Sequence, residues 1–161
     1  MTRLPAFRIK IFFFALIGAF SSVGQELPEA YVYLGSLNAE FRKVSEDMMS
    51  YISAANHGKS ARKVEKRRAE LITQLKESER TVRKLKLYKG DSKLRDSTAN
   101  YFRISTLVMN NDYGKIMDME DIAEQSYDAM EAYLLAKKIA KEKIEMAFNA
   151  ADKEYDAFAA A

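Results

Sequence analysis

Apolar residues recur at alternating steps of three and four after Pro28. The series consists of Leu34, Leu37, Phe41, Val44, Met48, Tyr51 and Ala55. This spacing lines one face of an α-helix, whereas a β-strand would require alternation by two. We therefore predict a first helix that begins near Pro28 and ends at His57 and Gly58, because glycine readily adopts the left-handed conformation after a last helical turn.

The same spacing predicts two further helices. Ser60 is a suitable cap for the second helix, whose apolar positions are Val64, Leu71, Leu75, Val82 and Leu85. The polar residues Arg68 and Ser78 occupy the missing steps of this apolar face. Residues 89–92 form a stop followed by a cap. The third helix loses its pattern over residues 110–114, and its apolar positions are Leu94, Tyr101, Ile104, Leu107 and Val108.

The last helix is predicted to be the longest, with Asp118 as its cap. Acidic residues follow Asp118 and suit the positive N-terminal end of a helix dipole. Its predicted face has a period of about 3.6 residues, typical of a straight helix, and comprises Ile122, Ser126, Ala129, Tyr133, Ala136, Ala140, Ile144, Ala147, Ala151, Tyr155 and Phe158. At 1.5 Å per residue this helix would reach about 60 Å, so its C-terminal turns are expected to overhang.

Short connections between helices favour antiparallel neighbours. The predicted fold is therefore all-α, an antiparallel up-down-up-down four-helix bundle with a long C-terminal helix. We assign residues 25–161 to this bundle as a single domain.

Residues 1–24 have the layout of a cleaved signal peptide. Basic residues precede an apolar run over residues 11–20, and small residues follow it. A membrane span needs about 20 apolar residues, so this run is too short to be one. The sequence predicts export to the periplasm, the outer surface or the extracellular space, with no transmembrane segment in the mature chain. The chain contains no cysteine, so we expect no lipid anchor.

Removal of residues 1–24 changes the charge balance. The whole chain has a formal net charge of +3, and the leader holds three basic and no acidic residues. The mature protein is therefore neutral, which argues against nucleic-acid binding. Its charges are nevertheless segregated, because residues 59–95 carry 14 basic and 5 acidic residues, whereas residues 96–135 carry 2 and 8.

An up-down bundle places its first and third connections at the same end. We expect seven residues to meet there, namely His57, Lys59, Arg62, Asp112, Tyr113, Asp118 and Asp121. The favoured interpretation is charge matching within the chain, between the basic second helix and its acidic neighbours. The alternatives are an anion or polar-ligand site and a docking face for an acidic cell-surface polymer.

A second candidate set is a buried polar layer formed by Arg68, Ser78, Ser126 and Tyr133. Such a layer can fix the register of the helices, since buried polar groups require partners. It can equally line a small pocket. We favour the register role.

Signals for catalysis and for cofactors are weak. His57 is the only histidine and stands beside a glycine that ends a helix. The Glu-x-x-His pairs of di-iron bundles are missing, and the eight methionines are better read as core residues than as haem ligands. We predict no catalytic residues, no metal and no cofactor.

Three runs of sequence carry a family resemblance: DMEDIAEQSYDAMEAYLLA at residues 118–136, SARKVE at residues 60–65 and LRDS at residues 94–97. With these runs the chain resembles a bacterial surface-protein family of uncharacterised function, named from a spirochaete lipoprotein and also found in exported proteins of Bacteroidetes. The resemblance implies export and a cell-envelope location, and it transfers no active-site residues. Lipid-anchored members would need a cysteine after the signal, where this chain has Gln25.

These observations predict a non-enzymatic, exported helical-bundle protein with a binding or structural role. Its partner would be an unknown protein or a cell-surface polymer, contacted by the second and the last helix. An alternative is a periplasmic chaperone-like or stress-response helical protein. A bundle that binds a cofactor or a metal is a weaker alternative.

Overall fold

The computed structural model of the protein describes residues 28–57 and 60–160. The predicted signal peptide lies outside the described residues. Regular structure in the described part is helical, apart from a single β-bridge between Tyr88 and Asp91. The elements are α1 (Glu29–Asn56), α2 (Ala61–Lys84), α3 (Lys93–Leu107), a π-helical turn (Val108–Asp112), α4 (Tyr113–Ala123) and α5 (Tyr127–Ala159). The prediction of an all-α fold is confirmed.

The connection between α2 and α3 is the stop and cap that the sequence predicts. Lys89 and Gly90 both adopt positive φ values, 49° and 83°, so the chain reverses within two residues. The amide of Asp91 donates to the carbonyl of Tyr88 at 2.9 Å. The carboxylate of Asp91 then accepts from the amide of Lys93, the first residue of α3, at 2.8 Å.

The predicted end of the third helix at residues 110–114 is wrong. The backbone remains helical from α3 through the π-helical turn into α4, because the residues on both sides of that turn keep right-handed helical dihedrals. A π turn inserts one extra residue into the helix. The insertion interrupts the three-and-four spacing of apolar residues without ending the helix.

The start of the last helix also differs from the prediction. Asp118 lies inside α4, and α5 is capped instead by Ser126, whose hydroxyl accepts from the amide of Ala129 at 3.1 Å. Ser126 is therefore exposed at a helix end and not on a buried face. From Ala129 to Phe158 the predicted face of this helix is confirmed, since all of its positions are buried or half-buried.

Helix α1 packs on α2, α2 on α3, and α3 on α5, while α4 packs on the first half of α5. The larger apolar cluster joins α1, α2 and α3, and its central side chains are Leu37, Leu71, Leu75, Val82, Phe102 and Met109. A smaller cluster around Val108, Ile116 and Ala140 joins the π-helical turn and α4 to α5. Leu107, predicted to be buried, is exposed.

The far end of α5 lies against the rest of the chain. Phe158 stacks on Tyr33 of α1, with ring centroids 5.6 Å apart, and also contacts Tyr88 at 4.9 Å. Tyr33 and Tyr88 are themselves 5.6 Å apart. The predicted overhang of the C-terminal turns is therefore wrong, because these three rings tie the end of α5 to α1 and to the α2–α3 turn.

Candidate functional site

The residues predicted to form an anion site have different surroundings in the structure. His57 is exposed directly after α1, and Arg62 is exposed in the first turn of α2. Lys59 and the side chain of Asp121 lie outside the described part of the chain. Asp112 forms an ion pair of 2.7 Å with Lys143 of α5. Asp112 is thus paired with the last helix and not with the second helix.

Arg68 of α2 is the residue around which this end of the molecule is organised. Its guanidinium donates from Nη1 to the carbonyl of Met109 at 2.7 Å and to that of Asn110 at 3.4 Å. Both carbonyls belong to the π-helical turn, where the wider turn leaves the regular hydrogen-bond ladder disturbed. Arg68 therefore ties α2 to the irregular turn of the neighbouring helix.

Glu65, one turn earlier in α2, holds the other side of the guanidinium. Its two carboxylate oxygens each accept a hydrogen bond of 2.8 Å, one from Nε and one from Nη2 of Arg68. This paired geometry fixes the plane of the guanidinium. The hydrogen bond with Glu65 is the main reason that the pKa of Arg68 is raised, and the charge of Asp118 adds to the effect. We refer to Arg68, Glu65 and the two carbonyls as the arginine clasp.

Two tyrosines line the apolar side of the arginine clasp. Tyr51 of α1 and Tyr113 of α4 meet edge to face with ring centroids 6.2 Å apart. Burial raises the pKa of Tyr51 to about 12, and burial also raises that of Tyr113. Both rings are therefore neutral packing groups at ordinary pH. The arginine clasp is suited to positioning helices, because the guanidinium of Arg68 donates its hydrogen bonds to acceptors within the chain.

The predicted buried polar layer is only partly assembled. Ser78 is fully buried, and its hydroxyl donates to Glu40 of α1 at 2.9 Å and accepts from Gln74 at 3.0 Å. Glu40 is 4% exposed and also accepts from Lys43 at 2.6 Å. The buried carboxylate is thus satisfied by one buried hydroxyl and by one cation that reaches solvent.

The other members of that predicted layer lie elsewhere. Arg68 belongs to the arginine clasp, and Ser126 caps α5 in solvent. Tyr133 is half-buried in the smaller apolar cluster, with Lys137 donating to its hydroxyl at 3.2 Å. Sequence reasoning missed Glu40, although a signal existed, since Glu40 stands three residues after Leu37 and four before Val44 on the apolar face of α1.

Concave surfaces in the described part of the chain include two shallow grooves. One, of about 390 Å³, is lined by charged and polar side chains of α1 and α2, including Asp47, Lys66, Glu70 and Glu77. The other lies beside Met49, Ser53 and Arg67. Among the described residues, no group of three or more His, Cys, Asp or Glu is arranged to hold a metal ion.

The outward face of α2 carries a row of basic side chains that we call the basic stripe. It consists of Arg62, Lys66, Lys76, Arg80 and Lys84, all of them exposed. Most of the acidic residues of α2 pair with basic residues outside the stripe. Glu65 binds Arg68. Glu70 binds Arg67 at 2.7 Å, and Glu79 binds Arg83 at 2.9 Å. Among the described residues, the ion pair that a member of the stripe forms is the long contact of 3.9 Å between Lys66 and Glu70.

Comparison of the chain with known protein families, with curated proteins and with solved structures finds no match. The resemblance to a bacterial surface-protein family therefore stays a prediction. None of the helices that the structure describes is long and apolar enough to cross a lipid bilayer.

Proposed function

We propose that this protein is an exported, non-catalytic helical bundle that binds an acidic cell-surface polymer through the basic stripe of α2. In this proposal neighbouring helices run antiparallel. Helix α2 runs opposite to α1, the long helix of α3 and α4 runs opposite to α2, and α5 runs opposite to that long helix. Two sets of contacts support the alternation. The rings of Tyr33, Tyr88 and Phe158 meet at one end of the bundle, and Tyr51, Arg68 and Tyr113 meet at the other.

The basic stripe is the observation that carries the proposal. From Arg62 to Lys84 it extends about 33 Å along the helix at 1.5 Å per residue. Charges of one sign along such a length produce a potential that attracts a polyanion, and the attraction is screened over about 10 Å at 0.1 M salt. Because most of the acidic residues of α2 are occupied by other cations, the stripe keeps its charge for a partner.

Charge matching within the chain accounts for only part of the basic excess. Arg68 is held by Glu65 and by backbone carbonyls, and the acidic Asp112 is paired with α5. Neither contact neutralises the outward face of α2. A docking role for this face is therefore favoured over a role confined to folding.

The test is binding of the purified protein to dextran sulfate, with neutral dextran as the uncharged comparison. The variant Arg62→Gln/Lys66→Gln/Arg80→Gln/Lys84→Gln is expected to bind at least about tenfold more weakly, and wild-type binding is expected to weaken as salt rises.

A matched control removes the same number of arginines and lysines from other helices. Arg42, Arg103, Lys115 and Lys141 are all exposed, and their replacement by glutamine changes the net charge equally. This control is expected to retain most of the binding. Equal losses in the two variants would mean that net charge, and not the stripe, governs binding, and would refute the proposal.

A chaperone-like role is the second candidate, and it is favoured by the large apolar side chains that α5 exposes. Leu134, Leu135, Ile139 and Met146 are each more than 40% exposed. A chaperone would use such a surface to hold unfolded chains. Light scattering of a heat-aggregating test protein separates the two candidates, since delayed aggregation would support the chaperone and unchanged aggregation would exclude it.

A further inference from the structure

The outward face of α5 carries a row of large apolar side chains. Leu135, Ile139 and Met146 are 53%, 43% and 73% exposed. At about 100° of rotation per residue their positions fall within about 40° of one another around the helix, so they lie along one side of α5. We call these three residues the α5 outer stripe.

The inward face of α5 explains why this row is left outside. The buried residues of this 33-residue helix are Ala140, Ala147 and Ala151. Alanines allow α5 to approach α3 closely, but they leave the larger apolar residues pointing away from the bundle. Helix α5 packs on α3, the π-helical turn and α4, and these neighbours lie on its alanine side.

We propose that the α5 outer stripe is a self-association surface on which α5 of a second copy of this chain packs in antiparallel orientation. The inference is independent of the polyanion-binding proposal, because it concerns another helix and other residues. A two-fold axis between positions 140 and 141 would place Leu135 opposite Met146 of the second copy. The two isoleucines at position 139 would then lie on either side of the axis, each opposite Glu142 of the second copy.

The charges on this face complement an antiparallel copy. Asp128 and Lys153 are both exposed and lie on the same side of α5 as the outer stripe. They are equally far from the midpoint between positions 140 and 141, so the proposed axis brings Asp128 of each copy opposite Lys153 of the other. A parallel arrangement would instead place like charges together.

The centre of the face also carries one acidic residue. Glu142 lies between Ile139 and Met146, is 54% exposed and contacts Lys138 of its own helix at 3.9 Å. The partner therefore meets apolar side chains and a carboxylate that extends toward solvent. A single pair of helices buries an area at the low end of stable interfaces, so the dimer is expected to have a dissociation constant in the micromolar range.

The test is sedimentation equilibrium of the purified protein from about 1 to 500 µM, which brackets a micromolar dissociation constant. Wild type is expected to dimerise over this range. Ile139→Asp is expected to weaken the dimer by more than about 100-fold, because it buries two unpaired charges. The matched control is Ile122→Asp on α4, whose parent side chain is 50% exposed, and it is expected to leave the dimer unchanged.

Charge reversal tests the orientation of the two helices. Asp128→Lys and Lys153→Asp, each alone, are expected to weaken the dimer about 3- to 10-fold, whereas the double variant is expected to restore it to within about twofold. Circular dichroism verifies that each variant remains helical. A protein that stays monomeric up to the highest concentration, a dimer indifferent to Ile139→Asp, or a double variant without restoration would overturn the proposal.

Discussion

Replacing Arg68 by alanine is the most direct test of how the bundle is held together. The side chain is 13% exposed and bridges α2 to the π-helical turn. The change removes the bond to the carbonyl of Met109, the longer bond to that of Asn110 and the paired contact with Glu65. It leaves two carbonyls of an irregular turn without their donor from α2.

The expected loss of stability follows from these contacts. The hydrogen bond to Met109 joins a charged donor to a part-buried acceptor and contributes about 1.5–3 kcal/mol. The contact of 3.4 Å with Asn110 adds little at that length. Glu65 is 49% exposed, so solvent screening reduces its ion pair with Arg68 to about 0.5 kcal/mol. We expect Arg68→Ala to reduce the free energy of unfolding by about 3 kcal/mol, which corresponds to a fall in Tm of about 10 °C.

The neighbouring arginine is a matched control. Arg67 also pairs with a glutamate three residues later, Glu70, at 2.7 Å, but it is 42% exposed and lies outside the arginine clasp. Arg67→Ala should therefore cost about 0.5 kcal/mol or less. Arg68→Lys keeps the charge but not the planar fork, so we expect a loss between those of the two alanine variants.

Denaturant unfolding followed by circular dichroism measures all three variants. The reasoning requires the order Arg68→Ala, Arg68→Lys, Arg67→Ala, from the largest loss to the smallest. Equal losses for Arg67→Ala and Arg68→Ala would refute it, because the bonds to the π-helical turn would then contribute nothing beyond an ordinary surface ion pair.

Three further substitutions test the other polar contacts. Ser126→Ala removes the cap of α5 and should lower the free energy of unfolding, measured by thermal unfolding, by about 1 kcal/mol. Asp118→Ala inside α4 should lower it by less than about 0.5 kcal/mol. The reverse order would mean that the last helix begins at Asp118. Ser78→Ala deprives the buried carboxylate of Glu40 of a donor and should cost about 1–3 kcal/mol, against about 0.5 kcal/mol or less for the exposed Thr73→Ala. Tyr51 has a pKa of about 12 in the folded protein against 10 when unfolded, so its stabilising contribution is complete below pH 10 and is lost as the pH rises to 12. Tyr51→Phe should therefore make the alkaline loss of stability shallower by up to about 2–3 kcal/mol, and an unchanged alkaline profile would exclude a raised pKa at Tyr51.

Much of the helical architecture could be predicted from apolar spacing. In α1 the predicted positions from Leu34 to Tyr51 are buried or half-buried, and in α5 the same holds from Ala129 to Phe158. These segments are long and strongly periodic, so no local feature competes with the pattern. The turn between α2 and α3 was predictable for a different reason, since glycine and aspartate there have specific conformational roles.

The boundaries around the π-helical turn could not be predicted in this way. Asn110, Asn111, Asp112 and Gly114 are residues that commonly form loops, and nothing in their spacing distinguishes a loop from a π insertion. The stabilising contact comes from Arg68, 41 residues earlier than Met109. Whether Asp118 or Ser126 caps the last helix likewise depends on where the preceding helix ends.

The two apolar clusters share the long helix formed by α3, the π-helical turn and α4, and Ile104 and Val108 already pack in the cluster that faces α5. One extra residue rotates every later position by about 100° relative to an uninterrupted α-helix. Met109 still faces α1 and α2, whereas Ile116 packs against α5. Without the insertion Ile116 would share the angular position of Met109, and with the insertion it falls between those of Ile104 and Val108. Helix α3 packs on both α2 and α5, whereas α4 packs on α5. The irregular turn that Arg68 holds thus keeps α4 against the helix that α3 already contacts.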